Sequence, residues 1–111
     1  MEKNSLLDCA AEPILPVVQG KWTMVVLSFI RQGTIRFGEL SRKLPMVSQA
    51  NLTKALRTLE SFGLIHREVY REVPPRVEYS LTELGGKFLP VLDALDDFGI
   101  EYQKHNKEAN A

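Results

Sequence analysis

The chain has 111 residues, of which 44% are hydrophobic and 25% are charged, and this balance is typical of one ordinary globular domain. The sequence contains no run of about 18 apolar residues, so it predicts no transmembrane helix, and residues 1–8 lack the apolar core of a signal peptide. The single cysteine, Cys9, excludes an internal disulfide and predicts a reducing, cytoplasmic location.

Charge is unevenly distributed along the chain, although the formal net charge is zero. Residues 21–76 contain ten Lys/Arg and four Glu, whereas residues 77–111 contain three Lys and seven acidic residues. A basic middle between acidic ends is typical of a protein that turns one surface towards phosphate groups. Charge alone leaves a mixed, solvated surface open as an alternative.

The first half of the chain predicts three helices and one short extended piece. Residues 13–18 predict a short helix, and apolar residues spaced by three and four predict a second helix over residues 21–31. Residues 34–37 are expected to be extended. Helical spacing returns over residues 37–44, and Pro45 ends that helix because the residue before a proline is pushed out of the helical region.

The second half predicts a capped helix, a hairpin and a final helix. Ser48 is the expected N-cap of a helix over residues 49–62. Residues 64–81 alternate with a period of two around Pro74 and Pro75, which predicts a β-hairpin with a stiff tip. Thr82 is then the expected cap of the last helix.

The last helix carries two further expectations. Its apolar residues recur at helical spacing as far as Tyr102, and the polar tail over residues 103–111 is expected to be frayed. Pro90 removes one helix hydrogen bond, so a kink or a break is expected there.

This order of elements predicts an α+β, mainly α fold, namely a winged helix-turn-helix with a two-stranded wing. The whole chain, residues 1–111, is expected to form a single domain. Residues 37–63 are the predicted helix-turn-helix, and residues 64–82 are the predicted wing.

The helix over residues 49–62 is predicted to enter the major groove of double-stranded DNA with its N-terminal half. A rotation of about 100° per residue turns hydrogen-bond donors outward as far as Arg57, with no carboxylate among them. The alternative is that this is only the polar face that any amphipathic helix needs. The candidate residues for contact with base edges are Gln49, Asn51, Thr53 and Lys54.

Basic and hydroxyl side chains near this helix and in the wing are candidates for contact with phosphates. Arginine is favoured in the minor groove that a wing approaches, and Arg71 and Arg76 lie nearest the tip. At least one wing arginine is instead expected to pair with Glu68, Glu72 or Glu78. The full set of phosphate and wing candidates is Ser41, Arg42, Lys43, Ser48, Arg57, Arg71 and Arg76.

Several motifs resemble those of the HxlR-type winged-helix transcriptional regulators. They are Gly20-Lys21-Trp22, Arg36-Phe37-Gly38-Glu39-Leu40, the run over residues 52–60, Gly63-Leu64-Ile65, and the runs over residues 67–70 and 72–85. The resemblance extends over about residues 9–99, and Phe98 stands where the family commonly has tryptophan. It implies a cytoplasmic homodimer that binds a palindromic operator and regulates transcription.

The resemblance also implies that subunits pair through residues 13–20 and 83–103. A late helix with so many apolar residues has more apolar surface than a small monomer easily covers, which agrees with pairing. The alternative is that this face packs only on its own domain. The candidate interface residues are Ile14, Val18, Phe88, Leu92, Leu95 and Phe98.

Many members of the family carry a reactive cysteine twelve residues before the Lys-Trp pair, and Cys9 matches that position relative to Lys21. The neighbouring acids Asp8 and Glu12 disfavour a thiolate, whereas a helix N-terminus would favour one. Sensing of an oxidant or electrophile through Cys9 and a small, inert thiol therefore both stay open.

No motif for catalysis or metal binding stands out. The sequence has no Gly-rich phosphate loop and no Ser/His/Asp set, and His66, His105 and Cys9 do not form a zinc-ligand spacing. We therefore expect no enzymatic activity, no cofactor and no metal. The alternative function is a winged-helix module that docks on protein without binding DNA.

Overall fold

A computed structural model of the chain describes residues 9–110, so the signal-peptide expectation for residues 1–8 lies outside the described residues. The predicted order of helices and strands is confirmed, after a short 3-10 turn at Glu12–Ile14. The elements are α1 (Leu15–Gln19), α2 (Thr23–Ile30), β1 (Ile35–Arg36), α3 (Phe37–Lys43), α4 (Gln49–Ser61), β2 (Ile65–Tyr70), β3 (Arg76–Leu81) and α5 (Glu83–Ala109).

The sheet has three antiparallel strands in the order β1-β3-β2. Strands β2 and β3 form the predicted hairpin, in which Ile65 pairs with Leu81 and Tyr70 pairs with Arg76. The short extended piece predicted after α2 adds to it as β1, where Ile35 pairs with Tyr79. The wing is thus anchored to the helical part of the domain by a third strand.

The core is built by the apolar faces of the helices against the base of this sheet. Leu52, Leu56 and Leu59 of α4 are all at most 1% exposed, as the predicted stripe requires. Thr23 is a buried polar residue whose hydroxyl donates to the carbonyls of Val17 and Gly20. These bonds hold the start of α2 against the end of α1.

Both predicted helix caps are present. The Ser48 hydroxyl accepts a hydrogen bond from the Asn51 amide at 3.1 Å, and the Thr82 hydroxyl accepts one from the Gly85 amide at 3.0 Å. Thr82 also donates to the Gly63 carbonyl at 2.6 Å. The caps satisfy amides that an isolated helix start leaves unpaired, so α4 and α5 begin at the predicted residues.

Helix α5 shows no break at Pro90, one of the two alternatives expected there, and it differs from the sequence expectation at the tail. It runs without a break from Glu83 to Ala109, and Pro90 lies on an exposed side where water can solvate the freed carbonyl. The expectation of a frayed tail from residue 103 was wrong. Residues 103–109 contain no Gly or Pro, and the Lys104 ammonium lies 3.7 Å from the Glu101 carboxylate one turn away.

A bidentate ion pair links α5 to the C-terminal end of α2. The Arg31 guanidinium donates to the two carboxylate oxygens of Asp93 at 2.6 and 3.3 Å. This hydrogen bonding raises the pKa of Arg31 and lowers the pKa of Asp93 below the unperturbed value of 3.8. Because the folded-state pKa of Asp93 is the lower one, the pair stabilises the fold above pH 3.8 and is lost as the pH falls through the folded-state pKa.

Among residues 9–110, no single helix has the length and apolar composition needed to cross a bilayer. Only the segment Glu12–Gln19 and helix α2 taken together reach that composition, and they meet at an angle of 86°.

Candidate nucleic-acid interface

Helix α4 presents one polar face to solvent because its apolar face is held by the core. The turn over residues 44–48 buries Leu44 and Val47, which anchors the start of α4 in the core. The exposed face is continuous and carries donors without a carboxylate, as the helical rotation predicted. It is lined by Gln49, Ala50, Thr53, Lys54, Arg57, Thr58 and Ser61.

The structure brings three of the four base-edge candidates together on this face. Gln49 and Lys54 are exposed and Thr53 is half-buried beside them. Asn51 is also exposed, but it lies on the flank of α4 and does not line the shared face. Any base contact by Asn51 must therefore be made from the side of the helix.

A groove of about 1020 Å³ runs between α3, α4 and the wing. Arg42 of α3 and Arg57 of α4 line it on one side. Arg57 also lines the outward face of α4, so it connects the two surfaces. The groove is not purely basic, because Glu39, Glu60 and Glu72 line it as well.

Two further arginines line this groove, Arg36 and Arg67, and neither was among the final candidates for phosphate contact, although Arg67 was expected in the hairpin. Arg67 pairs in register with Tyr79, which lies in the same groove, and the period of two along β2 was the signal that could have placed it. Arg36 reaches the groove only because β1 joins the sheet. A two-residue strand leaves no pattern in the sequence that would predict its partner.

Of the remaining phosphate candidates, Arg76 also lines the groove, whereas Ser41, Lys43, Ser48 and Arg71 do not. Ser41 is half-buried, and the Lys43 ammonium lies 3.9 Å from the Glu39 carboxylate on the same helix. The Ser48 hydroxyl is engaged as the α4 cap. Arg71 is exposed at the wing tip, directly after β2.

Arg76 pairs with acidic residues, as expected for at least one wing arginine. Its Nε lies 3.3 Å from Glu72 Oε1 and 3.4 Å from Glu78 Oε2, and its guanidinium carbon lies 4.0 Å from the centroid of the Tyr70 ring. The side chain is only 27% exposed. Of the two arginines predicted at the wing tip, one is therefore held by the protein and the other faces solvent.

Helix α5 carries an exposed apolar stripe that is separate from the basic surfaces. Phe88 and Leu92, predicted to face a partner, are instead buried in the monomer core at 8% and 3% exposure. The domain beneath α5 reaches only that far, so Leu95 and Phe98 beyond it are 44% and 65% exposed. Ile14 and Val18, the candidates at the other end of the chain, pack partly buried against the core.

Cys9 is exposed next to the first helical turn of the chain. Its carbonyl accepts a hydrogen bond from the Glu12 amide at 2.9 Å, at the start of the 3-10 turn. The thiol is thus accessible at the position that the family resemblance singled out.

Comparison with known proteins identifies the family and supports the fold. The family described as HxlR-like helix-turn-helix matches residues 17–107. An HTH-type transcriptional regulator of Methanothermobacter thermautotrophicus is 48% identical over 101 residues, which cover 91% of this chain and 77% of the relative. YdeP of Bacillus subtilis, also an HTH-type transcriptional regulator, is 44% identical over 95 residues, covering 86% and 74% of the two chains.

A solved structure of the redox regulator HypR in its reduced form superimposes with a TM-score of 0.81. That chain is 38% identical in sequence, and the match covers 90% of this chain and 99% of HypR.

Proposed function

Since this chain belongs to the HxlR-like helix-turn-helix family of transcriptional regulators, we propose that it is a homodimeric, sequence-specific DNA-binding protein of the cytoplasm and has no enzymatic activity of its own. The observation that carries the proposal is the carboxylate-free, exposed face of α4 beside an arginine-lined groove under the wing. The proposed ligand is a palindromic duplex operator.

In this proposal α4 enters the major groove and the wing follows the adjacent backbone. Gln49 and Asn51 have the paired donor and acceptor that suit adenine, and Lys54 can donate to guanine. Thr53 completes the base-edge set. Phosphates are contacted by Arg42 and Arg57 from the groove and by Ser41, Lys43, Ser48 and Arg71 around it.

Pairing of two subunits repeats this surface along the duplex. Two half-sites read by a twofold-symmetric helix-turn-helix dimer lie about one helical turn, 34–36 Å, apart. The exposed stripe at the end of α5 supplies the apolar surface for pairing, and Leu95 and Phe98 are its central residues. Ile14 and Val18 lie at the N-terminal helix that the family resemblance assigns to the same interface.

Selection of bound duplexes from a random pool tests the proposal and the role of Lys54 together. We expect the parent protein to enrich a palindrome, and Lys54→Ala to lose discrimination at one position in each half-site by about tenfold. Lys87→Ala is the matched control, because Lys87 is an exposed lysine on α5 that lies outside both DNA-facing surfaces, and it should select the same sequence as the parent.

The proposal would be contradicted if the parent protein did not bind duplex DNA at low salt, or bound it with an affinity that does not depend on salt. Phosphate contacts release counterions, so DNA affinity must fall as salt rises. Either result would favour the alternative of a winged-helix module that docks on protein.

A response to an oxidant or electrophile through Cys9 is a second, finer proposal. It is supported by the exposed thiol and by the similarity to HypR, which is described as a redox regulator. With one cysteine per chain, any disulfide must join the Cys9 thiols of two subunits or join Cys9 to a small thiol. In each case two thiols lose two protons and pass two electrons to the oxidant as the disulfide forms.

We expect hydrogen peroxide to change the affinity of the parent protein for its selected duplex, and a reductant to restore it. Cys9→Ser should bind the duplex like the parent and show no change with peroxide. Cys9→Ala is the steric control for the same loss. An unchanged peroxide response in either variant would show that Cys9 is not the sensor.

A further inference from the structure

The guanidinium of Arg76 contacts residues on both sides of the wing tip, which is formed by residues 71–75. Tyr70 and Arg76 form the last register pair of the hairpin, and residues 71–75 connect them without a ladder. Arg76 lies over the Tyr70 ring at 4.0 Å and within 3.3 and 3.4 Å of the Glu72 and Glu78 carboxylates. One side chain thus touches the end of β2, the tip itself and the body of β3.

These contacts continue to the third strand. Glu78 pairs in register with Arg36, and its carboxylate also lies 3.8 Å from Arg36 Nε. Glu78 therefore stands between two arginines, one on β1 and one at the wing tip. The resulting network runs across the whole sheet and links the tip to the strand that is anchored beside α3.

We infer that Arg76 is a positioning residue that orders the wing tip for DNA binding and does not itself neutralise a phosphate. The inference rests on the proposed DNA-binding function and assigns Arg76 a different role from the direct contact expected from the sequence. Arg71 is then the wing cation that reaches the backbone.

Burial and charge both support this division of roles. The Arg76 side chain is 27% exposed, and its buried Nε is close to both carboxylates as an ion pair without forming a hydrogen bond, whereas Arg71 is exposed. To reach a phosphate, Arg76 would have to leave Glu72 unpaired and Glu78 with Arg36 alone, beside a polyanion, and give up the stacked ring. Within residues 9–110, Arg71 forms no ion pair that such a contact would break.

Apart from the fixed φ angles of Pro74 and Pro75, the tip has little else to order it. Its one internal backbone hydrogen bond runs from the Glu72 amide to the Tyr70 carbonyl at 3.0 Å, and Val73 is fully exposed. Because residue 71 follows β2 directly, the direction of its side chain depends on how this short segment is held. The planar guanidinium of Arg76 can stack on Tyr70 and meet two carboxylates at once, which a lysine cannot reproduce.

The test compares Arg76→Ala and Arg76→Lys with Arg71→Ala and Arg71→Lys. The probe is a duplex selected by the parent protein, and its dissociation constant is measured across a series of KCl concentrations. Amide hydrogen exchange of residues 65–81 is measured in the same variants without DNA.

We expect Arg76→Ala to weaken binding about tenfold at each salt concentration with an unchanged salt slope, and Arg76→Lys not to restore affinity although it keeps the charge. Both variants should exchange faster than the parent at residues 70–77. Arg71→Ala should leave exchange unchanged and reduce the salt slope by about 1.8 for the two subunits, and Arg71→Lys should restore the slope.

The inference is overturned if Arg76→Ala flattens the salt slope while Arg76→Lys binds like the parent, because that pattern marks a phosphate contact. It is also overturned if exchange in the wing is unaffected by Arg76→Ala. Failure of the proposed function itself looks different, since the parent would then select no duplex, while the exchange measurement would still report whether Arg76 orders the tip.

Discussion

Gly85→Ala is expected to destabilise the fold by about 3 kcal/mol, which is a large part of the stability of a small domain. A Cβ at Gly85 would lie 2.1 Å from the backbone carbonyl oxygen of Leu64 and 2.8 Å from the Leu81 side chain. A backbone atom cannot rotate away as a flexible side chain does. The first turn of α5 would therefore have to move off the start of β2.

This close approach is built into the way α5 begins. The Thr82 amide donates to the same Leu64 carbonyl at 3.1 Å, and the Thr82 hydroxyl caps α5 at the Gly85 amide. Moving α5 outward would strain both hydrogen bonds. It would also withdraw Phe88 and Leu92 from the core, because they lie one and two turns further along the helix.

Gly86→Ala is the matched control and is expected to have the opposite sign. No atom lies within 4 Å of a Cβ at Gly86, and alanine is favoured over glycine inside a helix by about 0.5–1 kcal/mol. Urea unfolding of the parent and the two variants measures all three free energies of unfolding. Equal stability of the two variants would contradict the close packing at Gly85.

The sequence predicted most of the fold because its local signals agree with one another. Ser48 and Thr82 have cap chemistry at the residues where α4 and α5 begin, and the leucines of α4 leave one polar face. The HxlR-like identity also followed from motifs in the sequence, and the family comparison confirms it. The caps and the polar face of α4 depend on residues within one or two helical turns of each other, so sequence periodicity can predict them.

The rest depends on contacts between distant segments. Arg31 and Asp93 are 62 residues apart, and no local sequence pattern around either residue predicts the other as its partner. The two arginines of the wing tip look alike in the sequence, and only the fold places Arg76 between two carboxylates and leaves Arg71 exposed. Likewise, Leu92 and Leu95 belong to one apolar run, and only the extent of the domain beneath α5 separates a core residue from an exposed one.

Phe98→Ala is expected to weaken the proposed dimer about 100-fold. Along α5 the apolar residues Leu84, Phe88, Val91, Leu95, Phe98 and Tyr102 are spaced alternately by four and three, which is the repeat of helices that pair side by side. The helix has 27 residues, about 40 Å, and beyond Leu92 its side chains have no core to enter. Phe98 is the most exposed residue of this stripe.

Ile100→Ala is the matched control, because Ile100 is 54% exposed on the same helix but lies about 200° around it from Phe98. Truncating a large apolar side chain at the centre of an interface weakens binding by about 3 kcal/mol, which corresponds to the 100-fold loss. Truncating an apolar side chain outside the stripe is expected to weaken binding little. Sedimentation of the parent and both variants over a dilution series measures the dimer dissociation constants. A dimer dissociation constant like the parent's in Phe98→Ala, or equal losses of dimer affinity in both variants, would rule out pairing through this stripe.

DNA binding extends the same test to the function. A dimer gains affinity because binding of one half-site holds the second recognition helix near the other, and a monomer loses this advantage without losing any DNA contact. Phe98→Ala should therefore bind the full palindrome far more weakly than the parent at concentrations where it is monomeric, and bind a single half-site equally well. An equal loss on the half-site would instead mean that Phe98 supports the fold, and urea unfolding of the variant would then show the destabilisation directly.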